Sequence, residues 1–519
     1  MSETAATMPN AASSPERIDA FLGKWEVWIA AGCVCFAVLR ILIFAAAFPL
    51  FNPVDEKSHY AVIYRFAHGY VPGSELPKTD PEMARVFTLY GSSEYFQPRE
   101  VLEKFHRDVP IAELPPDLKE YHYAKVFKFW SEMPDMEVQS PPVYYLVGAA
   151  WYRIGTVFGL KDWSIAYWMR FLNGIFYGVF VWVAFLFTKE IYPERKFLIA
   201  GVPALLAVFP QDVFYGMNRD VLSPMLVAIV LLLLFRYLRT SGGGRAAIIF
   251  AGVLTGLAFL TDVPNVVLFV ALITALVVKS ESTEKSANHG SDKMSMAFSL
   301  FGAAILPLFW AARNRLVMGD VTGSRAKTAY LGWTLKSWPE IWHHPIFTLH
   351  GLGYFLSSLA HTYWRGEISW AGGTMRGIYA DGFYSVSTAL LVAAFLAFLI
   401  HRGKEENRLQ RLNDFLSCYL VAASVLFLAA ISLPFDFQNC IYPSREHPYF
   451  ISGRIICGTM LPFVLIYLSG FEFLWRPIRK YVHPVFPLAI ICIGIMVSEV
   501  LQTLTVFHSK FNFFALLRG

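Results

Sequence analysis

Between positions 52 and 59 the chain reads Asn-Pro-Val-Asp-Glu-Lys-Ser-His, and several of these residues can do chemistry. Asn52 is a capping residue, Pro53 suits a first helical position, and Gly69 with Pro72 ends the helix so begun. Asp55 and His59 stand four residues apart and share one face of that helix. A carboxylate there can accept a proton from a hydroxyl, with Glu56 as its acidic neighbour. The helix dipole alone also favours acids in a first turn, so spacing leaves both readings open. A second polar group runs from Glu137 through Gln139 to Tyr145. Glu137 either adds a carboxylate, as a metal ligand or an acceptor clamp, or caps the helix behind Pro141. A third group is the turn Pro210-Gln211-Asp212 through Asn218-Arg219-Asp220, which also reads as a plain polar hairpin. Arg454 opens an apolar run, and Arg313 and Arg315 close another. A guanidinium at such a depth asks for a partner. Its fork fits two phosphate oxygens or a carboxylate, with Asp436 and Glu446 nearby for Arg454.

The elements that must position these residues are membrane helices. Of 519 residues, 55% are hydrophobic and only 16% charged, against roughly 25% in soluble chains. That excludes a disordered chain, a nucleic-acid-binding domain and an ordinary cytosolic enzyme. Runs of the length a span needs lie at 25–50, 166–188, 197–214, 221–238, 245–262, 263–279, 295–314, 383–400, 412–432, 453–474 and 484–503. Basic residues collect after every second run: Lys189/Arg195/Lys196, Arg236/Arg239/Arg245, Lys279/Lys285/Lys293, Arg402/Lys404/Arg408/Arg411 and Arg476/Arg479/Lys480. By the positive-inside rule these ends and the N-terminus are cytoplasmic. Residues 141–160 nearly resemble a span, but crossing there would break that alternation. The segment is short, opens on Pro141-Pro142 and carries Arg153, which predicts a re-entrant or juxtamembrane helix. The expected fold is therefore an all-α polytopic membrane protein with about eleven spans and two large non-cytoplasmic loops, 51–140 and 315–382. The expected organisation is a cytoplasmic tail at 1–24, a catalytic module at 25–382 and a C-terminal transmembrane module at 383–519.

Two such outside loops are rarely needed by proteins that only conduct or transport. In the first, Tyr123, Val126, Phe127 and Trp130 form an apolar helical stripe, which either lies on the bilayer or packs on the rest of the loop. The net charge of +5 is too dispersed to mark a nucleic-acid partner. Cys33, Cys35, Cys418, Cys457 and Cys492 lie in apolar runs, with Cys440 alone in a loop, so no disulfide framework or zinc spacing is expected. No Walker motif is present, and Gly242-Gly243-Gly244 lies in a short turn, so neither ATP drive nor a soluble nucleotide-sugar fold is expected. Arg40 and Glu499 are the clearest ionisable residues within spans, too few for a proton relay. His343-His344 is a weak metal signal, and 280–294 reads as a polar linker.

The arrangement resembles the GT-C superfamily of integral membrane glycosyltransferases, and more closely a bacterial GT-C-like family of unknown function. The matching residues are Asp55-Glu56 with His59, and Gln139-Ser140-Pro141-Pro142-Val143-Tyr144-Tyr145. Asn218-Arg219-Asp220, Arg313-Asn314 with Gly319-Asp320, and Gly453-Arg454 complete them. The resemblance covers most of 40–470. It departs at Ile455, where a tyrosine is commoner, and at Ser140. The resemblance implies a catalytic acid in the first outside loop, matched by Asp55, a large loop after the seventh span, and a sugar donor carried on polyprenyl phosphate. It makes Arg454 the candidate for the lipid phosphate, with Glu56 or Glu137 in support. His59, Gln139, Asn218, Asp220 and Arg313 become candidate substrate contacts. The acceptor is a lipid, glycan or protein hydroxyl; a divalent cation stays open, since members of the superfamily differ. The implied home is a bacterial inner (plasma) membrane. Direct displacement implies inversion. The rival readings are a lipid-linked glycan flippase or transporter, a polymerase or ligase of such glycans, and a membrane scaffold.

Overall fold

The computed structural model describes residues 14–240, 244–283, 289–402 and 407–518. Most of the expected tail, Gly242, Gly243, Lys285, Lys404 and part of the 280–294 linker lie outside the described residues. The first helix, α1 (Ser14–Ala47), takes in residues 14–24 of that tail and then the first span. The long connection that follows holds α2 (Glu56–Ala67), α3 (Pro81–Tyr90), α4 (Arg99–Lys104), α5 (Pro116–Glu132) and α6 (Val143–Val157). Six apolar helices come next: α7 (Asp162–Ile191), α8 (Lys196–Ala207), α9 (Ser223–Arg239), α10 (Arg245–Phe259), α11 (Val267–Thr283) and α12 (His289–Val317). The second long connection carries α13 (Arg325–Tyr330), β1 (Thr334–Leu335), α14 (Trp338–Trp342), α15 (Leu349–Arg365), β2 (Ser369–Trp370) and β3 (Gly373–Thr374). Then follow α16 (Ile378–His401), α17 (Arg408–Ser432), β4 (Phe435–Asp436), α18 (Met460–Trp475) and α19 (Val485–Thr503). The strands form two small antiparallel pairs, β1 with β4 and β2 with β3.

The chain is an all-α polytopic membrane protein. Among the described residues nine helices, some with a flanking 3-10 turn, are long and apolar enough to cross a bilayer: α1, α7, α9, α11, α12, α16, α17, α18 and α19. Two shorter apolar helices, α8 and α10, stand at the other two expected spans. The run expected at 197–214 is helical only to Ala207, after which the backbone turns irregular. Irregular backbone at that depth is tolerated because it is buried in protein. Gly252 and Gly256, one helical turn apart on α10, let it approach α12 closely, since a Cβ at either would overlap the Ser299 or Ala303 carbonyl. That is the small-residue contact common between membrane helices.

The helix α6 is 15 residues long, about 22 Å against the roughly 30 Å of a bilayer core. Its first amide donates to Leu260 O, and Asp162 at the start of α7 pairs with Arg85 of the first connection, so both ends of α6 lie at the same end of the bundle. The stripe on α5 packs on α3, with Trp130 edge-on to Phe87 at 5.8 Å and Lys57 over its ring. The connections after the first, third, fifth, seventh and ninth helices of the serpentine meet in a common set of ion pairs. The opposite end carries the basic clusters, paired as Arg236–Glu190, Arg195–Glu472, Arg402–Asp414 and Arg479–Asp19. Within the bundle Arg40 binds Glu499 at 2.7 Å and the Tyr215 hydroxyl at 2.7 Å, joining α1 to α19.

Candidate functional site

The helix expected to open at Pro53 behind an Asn52 cap starts three residues later, at Glu56. Asn52 Oδ1 accepts the Val54 amide instead of capping a helix, and Asp55 takes a left-handed conformation, φ 61°, at the N-cap. Asn and Asp tolerate that region better than other non-glycine residues. The far end is as expected: the helix closes at Ala67 and Gly69 turns with φ 80°. Glu56 faces inward and is fully buried, with both oxygens held by Arg170 of α7 at 2.6 Å. The amides of Asn52 and Met217 donate to the same carboxylate. Glu56 therefore fastens the α2 start to the bundle, a task that occupies both of its oxygens.

Asp55 points the other way, to Arg454. That guanidinium gathers three carboxylates: Asp55 at 2.9 Å, Asp220 at 2.7 Å and Glu367 at 3.3 Å. Asp436 pairs instead with Arg445. Asp220 is 1% exposed, Glu367 18% and Asp55 42%, so Asp55 is the carboxylate of this group most open to water. A second group adjoins it. Arg219 binds Glu137 at 3.0 Å and lies 3.4 Å from Asp262, and Lys327 of α13 pairs with the other Glu137 oxygen. The Ser140 hydroxyl donates to Glu137 at 2.5 Å and accepts from Arg219 at 2.6 Å.

Charge and burial set the protonation states. Burial acts to raise Glu137, but Lys327 and Arg219 outweigh it and hold the carboxyl well below the usual range. Burial, with the neighbouring Asp220, pushes Asp262 up to about 8, so it keeps a proton at neutral pH. His59 is lowered to about 4 by burial and is a neutral imidazole stacked on Tyr145, its Nδ1 2.8 Å from the Tyr145 hydroxyl. Buried polar atoms around these groups stand without a hydrogen-bond partner: His59 Nε2, Gln139 Oε1, Asn218 Nδ2, Asp220 Oδ1 and Asp262 Oδ2. Such atoms are costly unless water or a ligand satisfies them.

The structure thus brings together Asp55, Glu137, Asp220 and Arg454, with His59, Gln139 and Asn218 around them. Gln139 Nε2 donates to Gly73 O, and Asn218 Oδ1 accepts the Asp220 amide. Arg313 lies on the Pro72 carbonyl and over the Trp310 ring. His343 and His344 bind backbone carbonyls through one ring nitrogen each. Among the described residues no three His, Cys, Asp or Glu side chains are placed to hold a metal ion. Sequence reasoning missed Glu367, Lys327 and Asp262. Asp262 had a signal, an acid as the last residue of one apolar run with another directly after it; Glu367 and Lys327, in a long polar connection, had none.

A family model for predicted membrane proteins, DUF2142, matches residues 38–433. The chain belongs to the DUF2142 family. No curated protein matches it. The DUF2142 match holds every acid of the site, Asp55, Glu137, Asp220, Asp262 and Glu367, and both cations of the second group. Arg454 lies beyond it and, from the expected C-terminal module, joins the site across residue 382.

Proposed function

We propose that this DUF2142 protein is a GT-C-type glycosyltransferase that moves a sugar from a polyprenyl-phosphate donor to an acceptor hydroxyl, with inversion. By the positive-inside rule the basic end is cytoplasmic, which puts the site on the opposite, outer face of a plasma membrane. The observation that carries the reading is Asp55: a water-reached carboxylate oriented by Arg454, at the loop end of a membrane bundle. Arg454 takes Asp55 Oδ2, which leaves Oδ1 to accept the hydroxyl proton. The acceptor oxygen then bonds to the anomeric carbon, the carbon–oxygen bond to phosphate breaks, and its electron pair leaves on the polyprenyl phosphate.

The phosphate needs a cation. Arg454 stands alone against three carboxylates, so it suits orienting the base better than binding an anion. Arg219 and Lys327 together hold Glu137, beside a protonated Asp262, and Arg219 meets only the far side of Asp220 at 3.8 Å, so the two cations are less outnumbered by carboxylates than Arg454 is. They therefore receive the leaving phosphate in this reading, in place of Arg454.

The test is release of polyprenyl phosphate by the purified chain in vesicles, given a panel of polyprenyl-phosphate sugars and envelope glycan extract. Asp55→Asn is expected to lose about 10²–10⁴-fold in rate while inserting normally. Equal release by both proteins, or no sugar-dependent release by wild type, contradicts the reading. The second outcome favours a transporter of lipid-linked glycans.

A further inference from the structure

We propose that the second long connection docks on the bilayer surface through an apolar strip on α14, α15 and the turn between them. Trp338 and Trp342 stand edge-on at 6.1 Å, and Trp342 stacks on Phe347 at 5.6 Å. Leu349, Leu352 and Leu356 continue the strip along α15. All six are exposed, Trp338 by 71% and Leu349 by 92%. The same helix buries Phe355, Leu359 and Tyr363 against the protein. A water-facing helix would carry mostly polar residues opposite such a face; the exposed side of α15 carries Leu349, Leu352 and Leu356, with His350 and Ser357 beside them.

The occupant follows from depth. Lys336, two residues before Trp338, donates its amide to Pro434 O at 2.8 Å. Pro434 is two residues past the end of α17, a membrane-spanning helix, and the Phe450 amide returns to Ser432 at that end, 2.9 Å away. Two residues reach about 7 Å at most, so α14 is held where α17 leaves the hydrocarbon. Tryptophans are enriched at that level, ring in the boundary and N–H toward water. The connection also begins and ends on spans whose tips are apolar and exposed, Leu316 on α12 and Ile378 on α16. A bilayer is therefore in reach of the strip along its length, and a helix of this kind lies in the plane of the interface.

Nitroxide labels test this in phosphatidylethanolamine–phosphatidylglycerol vesicles. They are placed singly at Trp342→Cys, Leu356→Cys and, as the aqueous reference, Glu446→Cys, in a chain stripped of its other accessible cysteines. Collision with oxygen relative to a water-soluble nickel chelate is expected to be several-fold higher at 342 and 356 than at 446. Nickel access equal to that at 446 places the strip in water, and exclusion of both reagents means that protein covers it; either result overturns the proposal. If the labelled chains do not fold, the unaltered protein in vesicles containing a headgroup-proximal diazirine lipid is digested and mapped. Adducts within 338–356 are expected, and their absence while span tips are labelled overturns it equally.

Discussion

Asp55 carries the most exposed charge of the site on a backbone that only a few residue types tolerate. Asn tolerates the left-handed region as well as Asp does, so Asp55→Asn removes the charge with little change to the turn, whereas Ala would add strain of about 1–2 kcal/mol. Asp262 offers a separate test, of protonation. Its folded-state value, about 8, lies above the ordinary 3.8. The native chain therefore binds a proton that the unfolded chain releases first. This contribution to stability is complete below the ordinary value and is lost as pH rises through the folded one. Asp262→Asn keeps the uncharged form at every pH. Its melting temperature in detergent should fall less than that of wild type from about pH 6 to about pH 9, and parallel curves would show Asp262 already ionised at pH 6.

At the scale of elements, the α2 start is held to α7 by the Glu56–Arg170 pair, with both side chains fully buried. Breaking a pair of that kind costs about 3–5 kcal/mol, because the remaining charge stays buried without its partner. Glu56→Gln and Arg170→Met should each lower the melting temperature sharply, and the double variant should recover much of the loss. If the two losses simply add, the residues act independently and α2 is held by something else. Much at this scale was legible in the sequence. Hydropathy over windows of about 20 residues fixes where helices cross, and the expected runs fall on the apolar helices from α1 to α19. The end of α2 at Gly69 was legible because a left-handed turn is a local property. Its start was not, because Asn52 is drawn to Val54 and Glu56, and Glu56 to Arg170, 114 positions away. The apolar stripe on α5 was plain, but periodicity does not say whether a stripe meets lipid or, as here, α3.

For the molecule as a whole, the serpentine gathers alternate connections at one end, and the candidate site lies where they meet. Residue types pointed to Asp55, Glu137, Asp220 and Arg454 separately, yet their pairing depends on how the spans pack. Asp55 and Arg454 are 399 positions apart, and Lys327 and Glu137 are 190 apart, so spacing could not join them. We propose this meeting point as a centre for glycosyl transfer, with Asp55 as the base. The most direct test is mass spectrometry of cell-envelope glycans from a strain lacking the chain, complemented with wild type or with Asp55→Asn at matched membrane levels. One sugar mass is expected to disappear on deletion and to return only with wild type. Full restoration by Asp55→Asn would contradict the proposal, because a protein that moves a lipid-linked glycan without reacting with it has no need of that carboxylate.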